Sequence, residues 1–166
     1  MVKPTDHYLR QASTDRDWEQ ATALLQQVYV DGGFTAAANA TQFMTRANLE
    51  PAGVMFVAVD PSDVVLGTVL LLHPESALRQ LAVAGEREFR LLGVSDSTRG
   101  SGIGAQLVEA CVARAFAEGA QAVVLWTQPS MHSAQRLYTR LGFQRAPERD
   151  QEDARGFTRL VYRRMR

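Results

Sequence analysis

Residues 90–105 read RLLGVSDSTRGSGIGA, and this stretch decides how the rest of the chain is interpreted. An apolar strand is followed by a short polar loop and by a turn that opens a helix, with glycines at Gly100, Gly102 and Gly104. Three glycines in five positions remove side chains where the helix begins. Backbone N–H groups there can face an anion, which the helix dipole also favours. The turn therefore predicts a phosphate-binding site.

Two common phosphate-binding motifs fit this turn poorly. A P-loop requires a lysine after its glycines, and the only lysine in the chain is Lys3. A dinucleotide-binding fingerprint matches Gly100, Gly102 and Ala105. That fingerprint also requires a carboxylate at the end of the next strand, where Trp126 is followed by threonine and glutamine. From the turn alone, a strand–helix turn that binds no ligand remains the other interpretation.

Bulk composition bounds the class of protein. The 166 residues are 46% hydrophobic and 22% charged, which is typical of one globular domain and predicts that residues 1–166 form it. A formal net charge of zero argues against a nucleic-acid partner. The chain has neither a signal peptide nor an 18-residue apolar run, so we expect a cytoplasmic protein without a membrane partner. The single Cys111 and three scattered histidines predict no disulfide and no metal site.

The hydrophobic pattern predicts the element order β-α-α-β-β-β-α-β-α-β-β. The predicted strands cover residues 7–12, 53–59, 64–72, 88–94, 121–126, 142–146 and 156–163, and the predicted helices cover about 15–31, 35–48, 102–118 and 130–141. One helical turn is also expected near 76–81. The central strand–helix–strand unit requires one parallel strand pair within a mainly antiparallel sheet.

Two motifs in this order resemble the GNAT superfamily of acetyl-CoA-dependent N-acetyltransferases. The first is Arg99-x-x-Gly102-x-Gly104 at the start of the central helix. The second is SAQRLYTRLGF at residues 133–143, which is similar to the A-x-x-L-Y-x-x-x-G-F element of the family. The resemblance is good over about 54–143. It implies a single GNAT-like domain of the α/β (α+β) class, with a mixed, mostly antiparallel sheet, one central parallel β-α-β pair and helices on both faces.

The resemblance also implies a site for acetyl-CoA as co-substrate. The pyrophosphate of coenzyme A would lie on the turn, which consists of Arg99, Gly100, Ser101, Gly102, Ile103 and Gly104. Pantetheine would add to the exposed edge of the preceding strand, at Leu92, Gly93 and Val94. A backbone N–H near Leu92 or Gly93 would then stabilise the oxyanion of the reacting thioester.

The family positions suggest two catalytic side chains. Tyr138 is the candidate acid that protonates the departing thiolate, and its alternative role is a core aromatic residue. Glu88 is the candidate base that deprotonates the amine, and its alternative role is a solvated glutamate. Other groups could relay a proton through water, namely His73, Glu75, His132 and Asp150. Many relatives carry an asparagine that contacts coenzyme A seven residues before the tyrosine, where this chain has Met131.

The expected function is acetyl transfer from acetyl-CoA to a primary amine of a small molecule or peptide, by direct attack through a tetrahedral intermediate. The alternative is a catalytically weak or inactive acyl-CoA-binding sensor or regulatory domain. The identity of the acceptor is open. Carboxylates in 28–34, 73–86 and 147–154 suggest an acidic rim that attracts a cationic amine, but interleaved arginines are equally compatible with a neutral rim. The family often forms dimers, so a homodimer is also open.

Overall fold

In residues 6–166, which the computed structural model describes, eight strands form one sheet and five α-helices pack on its two faces. The strands are β1 (Tyr8–Gln11), β2 (Gly53–Val59), β3 (Val65–Leu72), β4 (Glu86–Val94), β5 (Ala122–Thr127), β6 (Gln144–Arg145), β7 (Gln151–Glu152) and β8 (Thr158–Met165). The helices are α1 (Asp15–Asp31), α2 (Ala37–Phe43), α3 (Arg46–Leu49), α4 (Ile103–Ala117) and α5 (His132–Arg140). The strand order is β1-β2-β3-β4-β5-β8-β6, and β7 pairs with β8.

The pairing directions confirm the predicted sheet. Within the described residues only β4 and β5 run parallel, and their register joins Glu86 to Ala122 and Glu88 to Val124. The remaining neighbours are antiparallel. Helix α4 connects the two parallel strands, as the crossover of a β-α-β unit must. The sheet is therefore mixed and mostly antiparallel, with its parallel pair at the centre.

Helices cover both faces of the sheet, as expected. One face carries α1, whose buried residues Trp18, Ala21 and Leu25 belong to a core cluster with residues of β2, β3, β4, α2 and α3. The other face carries α4 and α5, which pack on residues from β2 through β5 and β8. Cys111 is fully buried in that second cluster, and burial raises the pKa of its thiol. This placement fits a structural rather than a reactive cysteine.

The prediction of one continuous helix over 35–48 is wrong, because the segment forms two shorter helices, α2 and α3. The backbone leaves the helical region at Met44 (φ −83°, ψ 67°), and Thr45 caps a separate short helix by accepting from the Asn48 amide at 3.4 Å. The Asn48 side chain also donates to the last carbonyls of α2, on Gln42 and Phe43. Local side-chain hydrogen bonds thus compete successfully with helix continuation. The helical turn expected near 76–81 is also absent from the described structure, where the backbone turns without forming a helix.

Candidate active site

The parallel strands separate soon after they pair. The β4–β5 ladder ends at Glu88 and Val124, whereas β4 continues to pair with β3 as far as Val94, and β5 with β8 as far as Thr127. Residues 89–94 and 125–127 therefore present backbone edges to each other without a ladder between them. A gap of this kind can receive an extended ligand by hydrogen bonding to strand edges.

A bulge in β4 opens this gap. Leu91 lies in the left-handed region at φ 61°, and the register against β3 shifts between Thr68 and Leu70. A non-glycine residue there costs free energy, and such strain concentrates at functional sites. The hydroxyl of Tyr29 donates to the Leu92 carbonyl at 3.5 Å, and burial raises the pKa of this phenol to about 12. Nothing in the leucine side chain signals this conformation, and the sequence pattern did not reveal it.

The glycine turn leaves backbone donors free at the start of α4. The amides of Arg99 and Ser101 donate to the carbonyls of Asp96 and Thr98. Gly102 caps α4 without a side-chain hydrogen bond, and the Gln106 amide is the one that donates to the Gly102 carbonyl. The amides of the first helical turn therefore lack intrahelical acceptors.

Glycine is required at two positions of this turn. Gly100 and Gly102 have φ values of 82° and 87°, and a Cβ at either position would meet nothing within 4 Å. The surrounding space is open, so backbone conformation rather than crowding selects glycine there. Gly104 differs: a Cβ would touch Leu137 and Val94 at 3.5 and 3.6 Å, in ordinary contact.

The side chains of two other predicted members of this turn have partners within the protein. Ile103 is 1% exposed and packs in the core on the α4 face, so only its amide is available to a ligand. The Arg99 guanidinium forms an exposed ion pair with Asp96 at 2.9 Å. A cleft of about 350 Å³ adjoins this loop, between the end of α1 and residues 95–99.

Tyr138 lies in an aromatic cluster beside the gap. Its ring is 5.9 Å from those of Phe89, Phe143 and Tyr162, and the residue is 5% exposed. Burial raises the pKa of its phenol. Among residues 6–166 its hydroxyl has no hydrogen-bond partner. The residue is thus a core aromatic whose protonated hydroxyl is not committed to another protein group, so the packing and acid roles are compatible.

Glu88 is buried, not solvated. The residue is 1% exposed, and its carboxylate accepts from three consecutive backbone amides, those of Gln80 (3.1 Å), Leu81 (2.8 Å) and Ala82 (3.0 Å). It therefore fixes the loop before β4, which a sequence-based reading cannot detect because the partners are loop amides. Its role as a base stays a prediction.

The carboxylates expected to form an acidic rim are largely paired in the part of the rim near β8. Glu86 pairs with Arg149 and Arg163, Asp150 with Arg145, and Asp153 with Arg155 and Arg159. Arginine hydrogen bonds lower the pKa values of Asp150 and Asp153. The neutral-rim alternative therefore describes this region better.

Sequence reasoning missed a cationic and aromatic cluster on the sheet face opposite α4 and α5. The Arg90 guanidinium lies 5.5 Å from the ring centre of Phe43 and 5.9 Å from that of Trp126. Arg159 lies 4.9 Å from the same indole, whose N–H donates to Gln80 at 2.6 Å. These residues come from α2, β4, β5 and β8, so no local motif could bring them together.

Two features are absent from residues 6–166. No group of three or more His, Cys, Asp or Glu residues able to hold a metal ion occurs there. None of the helices in the same range has the length and apolarity needed to cross a membrane.

Comparison with known proteins identifies the family and agrees with the fold. The family model described as the acetyltransferase (GNAT) family matches residues 12–143. The chain therefore belongs to the GNAT acetyltransferase family and is an acyltransferase. No curated protein sequence matches it significantly.

Solved structures share the fold at low sequence identity. A GCN5-related N-acetyltransferase from Kribbella flavida is 23% identical over 96% of this chain and 98% of its own, with a TM-score of 0.68. A GNAT-family acetyltransferase from Staphylococcus aureus Mu50 is 14% identical over 96% and 99%, with a TM-score of 0.71. The PaiA N-acetyltransferase from Thermoplasma acidophilum, solved with coenzyme A, is 12% identical over 98% and 100%, with a TM-score of 0.76.

Proposed function

We propose that this acyltransferase moves an acetyl group from acetyl-CoA to a primary amine of a small molecule or peptide. One observation carries the proposal: β4, which borders the gap to β5, is followed along the chain by the left-handed glycines and free amides that begin α4. A pantetheine-like arm and a diphosphate need these two features side by side. The solved relative with coenzyme A has the same fold, which further supports this donor.

The donor fits the residues on this side of the sheet. The backbone of Gly100 to Gly104 would hold the diphosphate through amides and the α4 dipole. Leu92, Gly93 and Val94 would align the pantetheine arm along the free edge of β4. Acetyl-CoA supplies an activated acyl thioester in that position. The amide of Leu92 or Gly93, next to the strained Leu91, is our candidate oxyanion donor, and loss of such a donor costs about 3 kcal/mol of transition-state stabilisation.

Two side chains are our candidates for the proton transfers of the reaction. As the new nitrogen–carbon bond forms and the carbon–sulfur bond breaks, the amine loses one proton and the sulfur gains one. Tyr138 is our candidate donor to the sulfur, since its phenol keeps its proton and its hydroxyl has no competing partner in the described chain. Glu88 is our candidate acceptor. Because its oxygens already bind loop amides, it would act through an intervening water.

The hydrogen bonds of Glu88 also favour a second candidate function. A carboxylate occupied by three amides is a poorly available base, which suits an acyl-CoA-binding sensor with weak or no turnover. The donor site would be the same in both proteins. Only the fate of the thioester differs.

Release of free thiol from acetyl-CoA in the presence of an amine panel tests the two candidates. Turnover that depends on the amine, with an N-acetylated product in mass spectra, supports the enzyme. Calorimetric binding of acetyl-CoA without thiol release supports the sensor. Absence of binding contradicts both. A parallel titration with NAD is the control for a nonspecific nucleotide site.

A further inference from the structure

We propose that the acceptor carries a carboxylate as well as its amine, and that Arg90 binds this carboxylate with support from Arg159. The inference deepens the proposed function and rests on it. It names an amino-acid-like class of acceptor, in place of the purely cationic amines that an acidic rim would select.

Arg90 differs from the other shielded arginines of the molecule. Within residues 6–166, each other arginine that is buried or half-buried has a carboxylate within 4.0 Å. The Arg90 side chain instead donates to the Leu78 carbonyl at 3.3 Å. A guanidinium withdrawn from water normally has an anionic partner. The missing partner is therefore expected from outside the chain.

The way Arg90 is held leaves donors available. Phe43 and Trp126 contact the guanidinium by cation–π interactions, which engage its faces rather than its N–H edges. One of its five N–H groups is used by Leu78, so others can reach a carboxylate. Arginine matches a planar carboxylate with two parallel hydrogen bonds.

The surrounding charges also favour an anion. The Arg159 guanidinium also contacts the Trp126 ring. Its carboxylate partner, Asp153, forms a second ion pair with Arg155. Glu86 and Glu88 lie on the same strand face as Arg90. Glu86 pairs with Arg149 and Arg163, and the Glu88 carboxylate binds loop amides, so neither forms an ion pair with Arg90. Burial lowers the pKa of Arg90, and the charges of Arg159 and Arg155 act in the same direction, whereas the charge of Glu88 opposes this shift; a bound anion would add to the opposing effect.

The position of Arg90 suits a small acceptor. It lies on β4 two residues before Leu92, near the candidate oxyanion amides, and two extended residues span at most about 7 Å. It also occupies the sheet face opposite α4 and α5, as does Trp126. An acceptor on this face could present its amine at the gap while its carboxylate contacts Arg90.

Matched acceptor pairs test this inference. L-amino acids and their carboxamides share an amine and a side chain and differ in the carboxylate. We expect wild type to favour the acids by at least tenfold in kcat/KM. Arg90→Gln should raise KM for the acids at least tenfold and change kcat/KM for the carboxamides less than threefold. Arg90→Lys should recover part of the preference, because it keeps the charge without the planar fork.

Two controls make the result specific. Arg140→Gln removes the same charge from the exposed side of α5, on the opposite face of the sheet, and should leave the preference unchanged. Arg159→Gln should lower the preference less than Arg90→Gln, and it keeps the inference testable if the Arg90 variants do not fold. Equal losses on acids and carboxamides, or a wild-type preference for carboxamides, would overturn the inference.

A binding experiment tests this inference separately from the proposed function. N-acetyl amino acids and their carboxamides are titrated calorimetrically into the protein with coenzyme A present. Binding of the acid that weakens at least tenfold in Arg90→Gln supports the carboxylate site even if no thiol is ever released. Absence of such binding, together with turnover of plain alkylamines, would contradict the carboxylate site and still support the proposed acetyl transfer.

Discussion

The donor side and the acceptor side of this molecule are built on different principles. On the donor side, backbone amides of one continuous segment, residues 92–104, supply the candidate contacts, and glycines occupy the turn at the start of α4. On the acceptor side, side chains from four separate elements meet around Trp126. A backbone site can bind a constant chemical group such as a diphosphate, whereas a side-chain site can change its specificity without altering the fold.

The largest effect should come from adding a side chain to the donor side. Gly102→Val forces a β-branched residue into the left-handed region and displaces the amides that start α4. Loss of two hydrogen bonds to a charged diphosphate costs about 3 kcal/mol, so coenzyme A affinity should fall about a hundredfold in calorimetry.

Gly119→Val is the matched control for this variant. Gly119 ends the α4 region with φ 92° and equally open space, so its variant carries the same backbone strain of about 1–3 kcal/mol. Thermal unfolding should show similar losses of stability for both variants, with coenzyme A affinity retained in Gly119→Val. If both variants lose affinity alike, the donor side does not depend on this turn.

Tyr138→Phe tests the candidate acid, which lies between the donor side and the acceptor side. The substitution keeps the ring packing and removes a hydroxyl without a protein partner in the described chain, so unfolding temperature should hardly change. We expect kcat to fall between about tenfold and a hundredfold. General acid catalysis typically contributes about 10²-fold or more, and the effect is smaller here because a thiolate is already a fair leaving group.

The pH profile sharpens the same test. Because burial raises the pKa of Tyr138, its proton is retained past the ordinary phenol pKa of about 10. Wild-type kcat should therefore show no alkaline decline from this group up to about pH 10. Equal kcat in wild type and Tyr138→Phe at every pH would remove Tyr138 from catalysis and leave it a core residue.

Glu88→Gln tests the acceptor side through its supporting loop. A glutamine amide would turn an N–H group toward the donors of residues 80–82, so one buried donor loses its acceptor. We expect a loss of about 1–2 kcal/mol in denaturant unfolding. A base role adds a second effect, a drop in kcat for amines that is smaller for acceptors of low amine pKa. Full stability would contradict the anchoring role of Glu88.

Met131→Asn should give the smallest effect. Met131 precedes α5, and its sulfur accepts from the Thr127 hydroxyl at 3.2 Å. Asparagine restores the side chain that many relatives use toward coenzyme A. One new hydrogen bond is worth about 1 kcal/mol, so affinity should rise about fivefold or less. Met131→Leu is the control, and equal affinity in both variants would show that this position does not contact the donor.

Prediction from the sequence worked best where the determinant is local. The strands up to β5, helices α1 and α4 and the glycine turn follow from apolar periodicity, capping residues and glycine spacing. The short C-terminal strands were less predictable, because β6 and β7 have two residues each and exist only through pairing with β8. The prediction of one helix over 35–48 was wrong for a related reason. The Asn48 side chain, from the next helix, donates to the last carbonyls of α2.

The sequence by itself determined the β-α-β crossover, the glycine turn and the family, because these depend on residues close together along the chain. Only the tertiary structure decided that β4 bulges at Leu91 and parts from β5, that Glu88 accepts from loop amides, and that Arg90 lies near the rings of Phe43 and Trp126 without a carboxylate partner. The physical reason is that burial and charge pairing depend on which elements meet in space, and residues 43, 90, 126 and 159 meet only after the sheet has formed.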